Sequence, residues 1–430
     1  MMRRGGIASS FGSLVLSQVI GAGLGFAFWI TAARAVAPEH VASASAAVAA
    51  MLLLGNLTVL GCGTLLLTEL PLLAPDQQRA LIRSVLVVVG SAAVLAGTVW
   101  SLVGVHLSTN FRAALHGDLA APVFVIGVAA TAIGLVLDQA VLGLRRPGMQ
   151  VVRNLVASSL KFPLATVLVA AGLRSSFGLL LAWTVPLVVA PLLLWQLLRL
   201  RRAGRPRPDD QVRAHLRRYR IAALHNHSLS LSLQASSLLV PMLAAATLSA
   251  VAYAHFSLAW LVATFVFIPP FMLATALFAV SANDTIDTFR ASMRRTLPVG
   301  LAISAGCYLG VLLLGDVAMR TFGREYAATG THILRIVAIG GLALVVKDHF
   351  FAVYRVRRRM AAAARIAVLG VVVELVGASV GVWLDGATGL CLGWLAALYL
   401  EAVCMVPALV RVLRTSSTAG APRLVGLEAA

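Results

Sequence analysis

Charged residues are scarce in this chain of 430 residues: 12% are Asp, Glu, Lys or Arg, against roughly 25% in an average soluble domain. Hydrophobic residues make up 60%, and the mean hydropathy is +0.92. So few charged groups cannot cover a water-soluble surface, which excludes a soluble globular protein. Disorder is excluded as well, because disordered segments are poor in apolar residues. The class that remains is an α-helical protein that crosses a membrane several times.

Lysine and acidic residues are also few. Of the 35 basic residues only Lys161 and Lys347 are lysine, and 16 acidic residues leave a net charge of +19. Most arginines lie between apolar runs, which is typical of cytoplasmic loops that face anionic lipid. Because no basic patch is interleaved with aromatic residues, we predict no nucleic-acid partner.

Motifs for enzymatic chemistry are missing. The four cysteines lie in apolar runs without ligand spacing, so we expect no disulfide framework, no metal site and no cofactor. The sequence has no GxxxxGK[ST] phosphate loop, no nucleophile elbow and no HExxH pair. The outside loops are short and carry only scattered acidic residues. We therefore predict that the protein is not an enzyme.

Apolar runs follow one another along the chain, each long enough, or nearly so, to cross a hydrocarbon core of roughly 30 Å. The expected fold is all-α, with about twelve transmembrane helices. The expected ranges are 11–33, 41–67, 82–104, 121–142, 155–172, 177–198, 221–246, 251–280, 297–315, 331–352, 363–384 and 388–410. The first run exceeds the length of a typical signal-peptide core, so we expect it to remain as the first span.

The basic residues predict the orientation of these helices. With the N-terminus inside, the inside segments hold 27 of the 35 basic residues and the outside loops hold five. Because positive charge collects in cytoplasmic loops, both termini are predicted to be cytoplasmic.

A shift of about 210 residues superposes the expected helix starts of the second half on those of the first. Six helices per half give both halves the same orientation, a parallel repeat with a cavity between the lobes. The expected parts are an N-terminal lobe (1–198), a basic linker (199–220), a C-terminal lobe (221–411) and a disordered tail (412–430). This architecture is typical of a secondary transporter.

One local pattern carries a family resemblance. The pattern is a helix that ends in a basic residue, then a turn with Pro and an acidic residue, then a helix rich in small residues. In this chain it is Trp29-Ile-Thr-Ala-Ala-Arg34-Ala-Val-Ala-Pro38-Glu39-His40, followed by 41–50. With the twelve-helix architecture, this pattern resembles the multidrug/oligosaccharidyl-lipid/polysaccharide (MOP) superfamily, and within it the Wzx-type flippases of polysaccharide biosynthesis. The turn has Ala or Val where the family usually has Gly, and Glu69 replaces a basic residue common late in the second helix. The peptidoglycan-precursor branch usually has fourteen helices, which argues against it here.

The resemblance implies a bacterial plasma-membrane protein with an alternating cavity and a substrate that carries a pyrophosphate and a sugar. Its partners would be the bilayer, the lipid-linked glycan, protons or cations, and glycan-assembly enzymes.

Two acidic residues lie near the middle of neighbouring helices, Glu374 in the eleventh and Glu401 in the twelfth. Charge inside a membrane is costly, so both are candidates for ion coupling. The alternative is that each is protonated and hydrogen-bonded in a structural role. Asp138 and Lys161 are expected in the cytoplasmic third, where Asp138 would orient Lys161 in a vestibule that attracts a pyrophosphate. The alternative is a local ion pair and a lysine that extends to the interface.

Lys347 and Asp348 are expected near the cytoplasmic end of the tenth helix. Neighbouring residues point about 100° apart, so we expect at least one to face the cavity or a headgroup: Lys347 to bind substrate, Asp348 to couple ions. Arg335 and Arg34, near the outer ends of their helices, would form an outer cationic site. The alternative for both is contact with the interface.

The seventh helix is the most polar one, and we expect it to line the cavity and to bind sugar hydroxyls. Its candidates are His225, Ser228, Ser232 and Gln234, and the equivalent candidate in the first helix is Gln18. Serine also packs helices closely without a ligand, which is the alternative.

The function predicted from the sequence is a flippase that moves a polyprenyl-(pyro)phosphate-linked sugar across the membrane by rocking of its lobes. A drug or cation antiporter of the same fold is the nearest alternative, and an acid-dominated cavity would favour it. A membrane-embedded glycan-transferring enzyme would need paired acids in an outside loop, and a scaffold without transport would need a dry interface between the lobes.

Overall fold

The computed structural model describes residues 21, 23–198, 231–232, 234–281, 286–357 and 359–414. Within these ranges the chain forms helices and no strand, as the sequence predicts. Nine helical stretches among the described residues are long and apolar enough to cross a membrane. The chain is therefore a multi-pass membrane protein.

Two compact units make up the chain. Unit 1 comprises Met1–Leu231 and Ala245–Ala254, and unit 2 comprises Ser232–Ala244 and His255–Ala430. The expected linker, 199–220, and the part of the expected tail after Arg414 lie outside the described residues.

The first eight helices belong to unit 1. They are α1 (23–35), α2 (Pro38–Thr58), α3 (Cys62–Glu69), α4 (Pro75–Leu107), α5 (Thr109–Ala114), α6 (Ala120–Gly143), α7 (Pro147–Ala170) and α8 (Ser176–Leu197). The remaining helices are α9 (Gln234–Thr247), α10 (Ala250–Ser281), α11 (Ile286–Arg320), α12 (Arg324–Ala338), α13 (Gly340–Val356) and α14 (Met360–Arg414). Helix α14 has two arms, because Asp385 and Gly386 leave the helical conformation.

Proline sets the start of three helices in unit 1. Pro38, Pro75 and Pro147 stand at the first position of α2, α4 and α7. Proline fits there because the first helical N–H has no intrahelical partner and the ring fixes the required φ. As a result α4 and α7 begin seven and eight residues before the predicted starts, 82 and 155, and basic residues expected in loops lie inside helices.

The predicted second span, 41–67, is interrupted. Leu60 and Gly61 have φ values of 51° and 75°, and this left-handed pair separates α2 from α3. The predicted turn between the eleventh and twelfth spans, 385–387, is confirmed by the break in α14.

Helix α2 is the buried centre of unit 1, whereas α4 and α11 are mainly exposed. The buried face of α2 consists largely of Ala and Ser, which let neighbouring backbones approach. In α4 and α11 large apolar side chains such as Val87, Leu102 and Leu313 are exposed, as expected where a helix contacts lipid.

The repeat is visible in the helix bounds. Pro147 of α7 and Met360 of α14 are 213 residues apart, and Gly143 and Val356, the last residues of α6 and α13, have the same separation. The equal separation at these bounds agrees with the predicted repeat of about 210 residues.

Candidate functional site

Unit 2 contains a buried group of one lysine and two glutamates, which we call the Lys347 cluster (Lys347, Glu374 and Glu401). The ammonium of Lys347, on α13, donates a hydrogen bond to Glu374 Oε1 on the first arm of α14. It also lies 2.8 Å from Glu401 Oε2 on the second arm. Glu374 has no exposed surface, and the other two are buried as well.

Trp394 completes the coordination of Glu374. Its indole Nε1 donates to Glu374 Oε2 at 2.7 Å, so both oxygens of this carboxylate are bound. The ring packs against Trp260, with centroids 5.1 Å apart, and Trp260 stacks on Phe256. The rings of Trp394, Trp260 and Phe256 thus surround Glu374 with apolar groups. A low local dielectric strengthens the electrostatic interactions inside the cluster.

Close packing of the two arms of α14 places the glutamates side by side. Each arm carries a GxxxG pair, Gly377 with Gly381 and Gly389 with Gly393. A β-carbon at Gly377 would lie 2.5 Å from the carbonyl oxygen of Gly393, so only glycine allows this approach. Gly370 leaves room in the same way for the carboxylate of Glu401.

The charges of the Lys347 cluster do not balance when all three groups are ionised. Two carboxylates and one ammonium leave one negative charge, which is costly at a buried site. Lys347 lies 2.8 Å from Glu401 Oε2, and Glu401 also interacts electrostatically with Glu374. One proton or one monovalent cation would neutralise the cluster.

A second buried lysine, Lys161, lies in unit 1. Its Nζ is 3.5 Å from the ring centroid of Trp183, a cation–π contact worth about 2 kcal/mol when desolvated. Phe28 and Trp29 pack on the same indole. No carboxylate lies within ion-pair distance of Lys161 in the described part of the chain.

The indole N–H of Trp183 is a second hydrogen-bond donor next to Lys161. Its Nε1 is buried and has no hydrogen-bond partner among the residues that the structure describes. A buried ammonium and a buried N–H without acceptors are both unfavourable in an apolar setting. Unit 1 therefore holds two buried donor groups side by side without an acceptor among the described residues.

The expected pairing of Asp138 with Lys161 is not formed. Asp138 instead binds Arg153, through Arg153 Nε at 2.8 Å and Nη2 at 2.5 Å. Gly134 leaves space for the guanidinium on the surface of α6. Because α7 begins at Pro147, Arg153 lies inside this helix, and Lys161 is fourteen residues, about 21 Å, from its start. Lys161 is thus near the middle of α7.

The Asp138–Arg153 pair predicts a stability effect. Asp138→Asn removes the charge that balances a buried guanidinium, so the free energy of unfolding should fall by about 3–5 kcal/mol. Asp76→Asn is the matched control, because the Asp76–Arg79 pair has an aspartate that is 94% exposed and should contribute little. Unfolding by SDS in mixed micelles measures both variants, and equal stability of the two would contradict a structural role for Asp138.

The two buried lysine sites occupy related places in the repeat. Lys161 and Glu374 are 213 residues apart, as are the helix starts Pro147 and Met360. In unit 2 an ammonium and an indole N–H both bind the Glu374 carboxylate. In unit 1 the equivalent position holds Lys161, and no protein carboxylate takes the place of Glu374 among the described residues.

Asp348 interacts electrostatically with Lys347 and with Arg355 on the same helix. Lys347, expected near a helix end, is nine residues inside α13, which extends to Val356. Arg335 is exposed in unit 2 and donates to the carbonyl of Leu312 at 3.2 Å.

The remaining predicted residues are distributed as follows. Arg34 is exposed, Ser232 is buried and Gln234 is exposed. Gln18, His225 and Ser228 lie outside the described residues.

Four partners of the site were missed from the sequence: Arg153, Trp183, Trp394 and the paired GxxxG motifs. The GxxxG pairs on both sides of a short turn were a readable signal for close helix packing. The two tryptophans give no comparable signal, because a tryptophan within an apolar run is usually interpreted as part of the hydrophobic core.

No protein-family model and no curated protein matches this sequence. Among solved structures, a multidrug resistance MATE family transporter of the MOP superfamily, inward-facing, aligns with a TM-score of 0.67 at 14% identity, covering 95% of this chain and 100% of that chain. The lipid II flippase MurJ, inward closed, aligns with a TM-score of 0.70 at 11% identity, covering 93% and 89%. A MOP superfamily transporter from Pyrococcus furiosus, described as having a binding pocket of reverse polarity, aligns with a TM-score of 0.62 at 13% identity, covering 95% and 96%.

These likenesses show the fold. The chain aligns over most of its length with the two-lobe helical fold of MATE transporters and of a lipid II flippase, which confirms the predicted fold class. The neighbours include a multidrug transporter and a lipid flippase, so the likeness leaves the Wzx-type branch as a prediction.

Proposed function

We propose that the protein translocates a polyprenyl-(pyro)phosphate-linked sugar or oligosaccharide across the bacterial plasma membrane, as a secondary transporter and not as an enzyme. The observation that carries this proposal is the Lys161–Trp183 site. It presents a buried ammonium and a buried indole N–H with no acceptor among the described residues.

The chemistry of this site favours an anionic substrate. Burying an ammonium without a counter-charge costs several kcal/mol, and the cation–π contact with Trp183 offsets only part of it. A phosphate oxygen would accept hydrogen bonds from both Lys161 and Trp183 and would supply the missing charge. A cationic drug would instead be repelled by Lys161.

The other parts of the substrate are assigned by their chemistry. The isoprenoid tail stays in the bilayer. The residues that we assign to sugar hydroxyls are Gln18, His225, Ser228, Ser232 and Gln234. Arg34 and Arg335 each bind the substrate at the outer end of their own helix. Asp138 is removed from the ion-coupling set, because its charge is already balanced by Arg153.

We assign ion coupling to the Lys347 cluster. Its excess negative charge at full ionisation makes it a site for one proton or one monovalent cation, with Glu401 as the acceptor. Protonation or cation binding would change the electrostatic force between α13 and the two arms of α14. This change provides a link between the ion and the conformation of unit 2.

Glu401→Gln tests the coupling. The substitution keeps the size of the side chain and leaves Lys347 and Glu374 as a neutral pair, so no excess charge remains. In proteoliposomes the ratio of transport with and without an imposed proton or sodium gradient should fall to about one. Asp385→Asn, an exposed acid at the turn of the same helix, is the control and should keep the wild-type ratio. A wild-type ratio in Glu401→Gln would contradict the assignment.

The proposed function itself is tested by reconstitution. Proteoliposomes that contain a polyprenyl-diphosphate oligosaccharide should move it between leaflets, as measured by its access to an impermeant glycosidase. Liposomes with Lys161→Met protein provide the background. No movement by the wild-type protein under an ion gradient of either direction would contradict the proposal.

A drug or cation antiporter is the second candidate, and the excess negative charge of the Lys347 cluster favours it. Efflux of a lipophilic cation such as ethidium from the same proteoliposomes distinguishes the two. Efflux that requires Glu401 but not Lys161 would support the antiporter.

A further inference from the structure

The end of unit 1 where α4 and α7 begin contains a basic pocket. Its volume is about 650 Å³, and it lies between the start of α4, the α6–α7 turn and the end of α8. Arg79, Arg145 and Arg146 line it together with apolar residues such as Leu197 and Leu198. The distribution of basic residues along the sequence predicts that this end of the helices is cytoplasmic.

Local structure fixes the shape of this pocket. The Gln78 side-chain amide donates to the carbonyls of Leu70 and Leu73, at 2.8 and 3.0 Å, and holds the preceding turn against α4. Arg145 adopts a left-handed φ of 57° in the tight turn between α6 and α7. The shape of the pocket is therefore determined by the backbone of these turns.

The positive charge in the pocket is largely uncompensated. Arg79 pairs with Asp76, whose carboxylate is 94% exposed, so this pair is weak. Arg145 and Arg146 have no ion-pair partner in the described part of the chain. A concave site with several arginines favours a phosphate group.

An apolar groove of about 450 Å³ lies between the same three helices, α4, α6 and α8. Arg83 and Trp195 line it at the end nearest the pocket, and aliphatic side chains such as Val94, Ala129 and Ile133 line the rest. On α4 the groove residues directly follow the pocket residues, whereas on α8 Trp195 stands two positions before Leu197 and on α6 Leu137 stands six positions before Gly143. Polar and apolar sites thus follow one another along one seam of unit 1.

The length of the groove matches one leaflet of a bilayer. On α4 it extends from Arg83 to Val94, which is about 16 Å along the helix axis. Half of a hydrocarbon core of about 30 Å is about 15 Å. Trp195 lies near the basic end, where tryptophan is enriched at membrane interfaces.

From this continuity we infer that the seam of α4, α6 and α8 is a binding site for an anionic phospholipid of the cytoplasmic leaflet. The phosphate of the headgroup binds Arg79, Arg145 and Arg146, and one acyl chain lies in the apolar groove. The site uses none of the residues assigned to transport, so the inference stands independently of the proposed function.

Native mass spectrometry of the delipidated full chain, titrated with phosphatidylglycerol or phosphatidylcholine, tests this inference. We expect preferential binding of phosphatidylglycerol, weakened about 30-fold in the double variant Arg145→Gln/Arg146→Gln, since each basic group near a surface contributes about fivefold. Ala129→Trp fills the groove without changing charge and should also weaken phosphatidylglycerol binding. Arg112→Gln/Arg174→Gln removes two exposed arginines from the other end of unit 1 and should leave it unchanged.

Three outcomes would overturn the inference. Equal binding of the two phospholipids would remove the role of the arginines. Inorganic phosphate that competes with phosphatidylglycerol at equal affinity, with no effect of Ala129→Trp, would make the site one for free phosphate. A polyprenyl phosphate that displaces phosphatidylglycerol and binds more tightly would identify the transported lipid class as the occupant.

Discussion

Lys161→Met protein is expected to lose transport and to remain folded. The methionine fills nearly the same space over Trp183, but it cannot supply the charge or the hydrogen bond that a phosphate needs. Losing a charged partner at a desolvated contact should reduce transport by at least about 30-fold. Because Lys161 has no counter-charge among the described residues, its removal should leave the free energy of unfolding unchanged or raise it.

Two measurements separate these effects. Transport in proteoliposomes gives the functional loss, and SDS unfolding in mixed micelles gives the stability. Lys161→Arg is the matched variant, because it keeps the charge and the capacity for a cation–π contact, and it should retain part of the activity. Wild-type transport by Lys161→Met, or a large loss of stability, would show that Lys161 is a structural residue.

Lys347→Met is expected to have the opposite signature, a large loss of stability. Its removal leaves the carboxylates of Glu374 and Glu401 side by side in a buried place, with no cation between them. Breaking a buried pair in this way should lower the free energy of unfolding by about 3–5 kcal/mol. The same micelle unfolding assay measures it.

The triple variant Lys347→Met/Glu374→Gln/Glu401→Gln provides the control. It removes all three charges, so the free energy of unfolding should return most of the way to the wild-type value. Comparison with the Lys347→Met variant then assigns the recovered stability to electrostatic coupling among the three groups. If the triple variant were as unstable as Lys347→Met, the loss would come from packing. In that case the Lys347 cluster would not act as an electrostatic unit.

The fold could be predicted from the sequence because membrane insertion depends on local composition. Each span needs a long apolar run, and the break at Asp385 and Gly386 is visible as a polar residue beside glycine. The repeat was visible in the spacing of these runs, since equivalent helices begin about 210 residues apart. Long-range contacts are not needed for any of these inferences.

The pairing of charges could not be predicted in the same way. Arg153 falls between the predicted spans 121–142 and 155–172, whereas Asp138 on another helix neutralises it within α7. The partner depends on the rotation of α6 and α7 about their axes, which hydropathy does not report. The same holds for Lys347, which α13 turns towards both arms of α14.

We propose that this protein carries a lipid-linked glycan across the membrane. The most direct test is the sidedness of that glycan in a strain depleted of the protein, probed with an impermeant sugar-modifying reagent in intact cells and in opened vesicles. We expect the glycan to accumulate on the inner leaflet and to reappear outside when the wild-type protein, but not Lys161→Met, is expressed again. Unchanged sidedness with normal glycan output would contradict it.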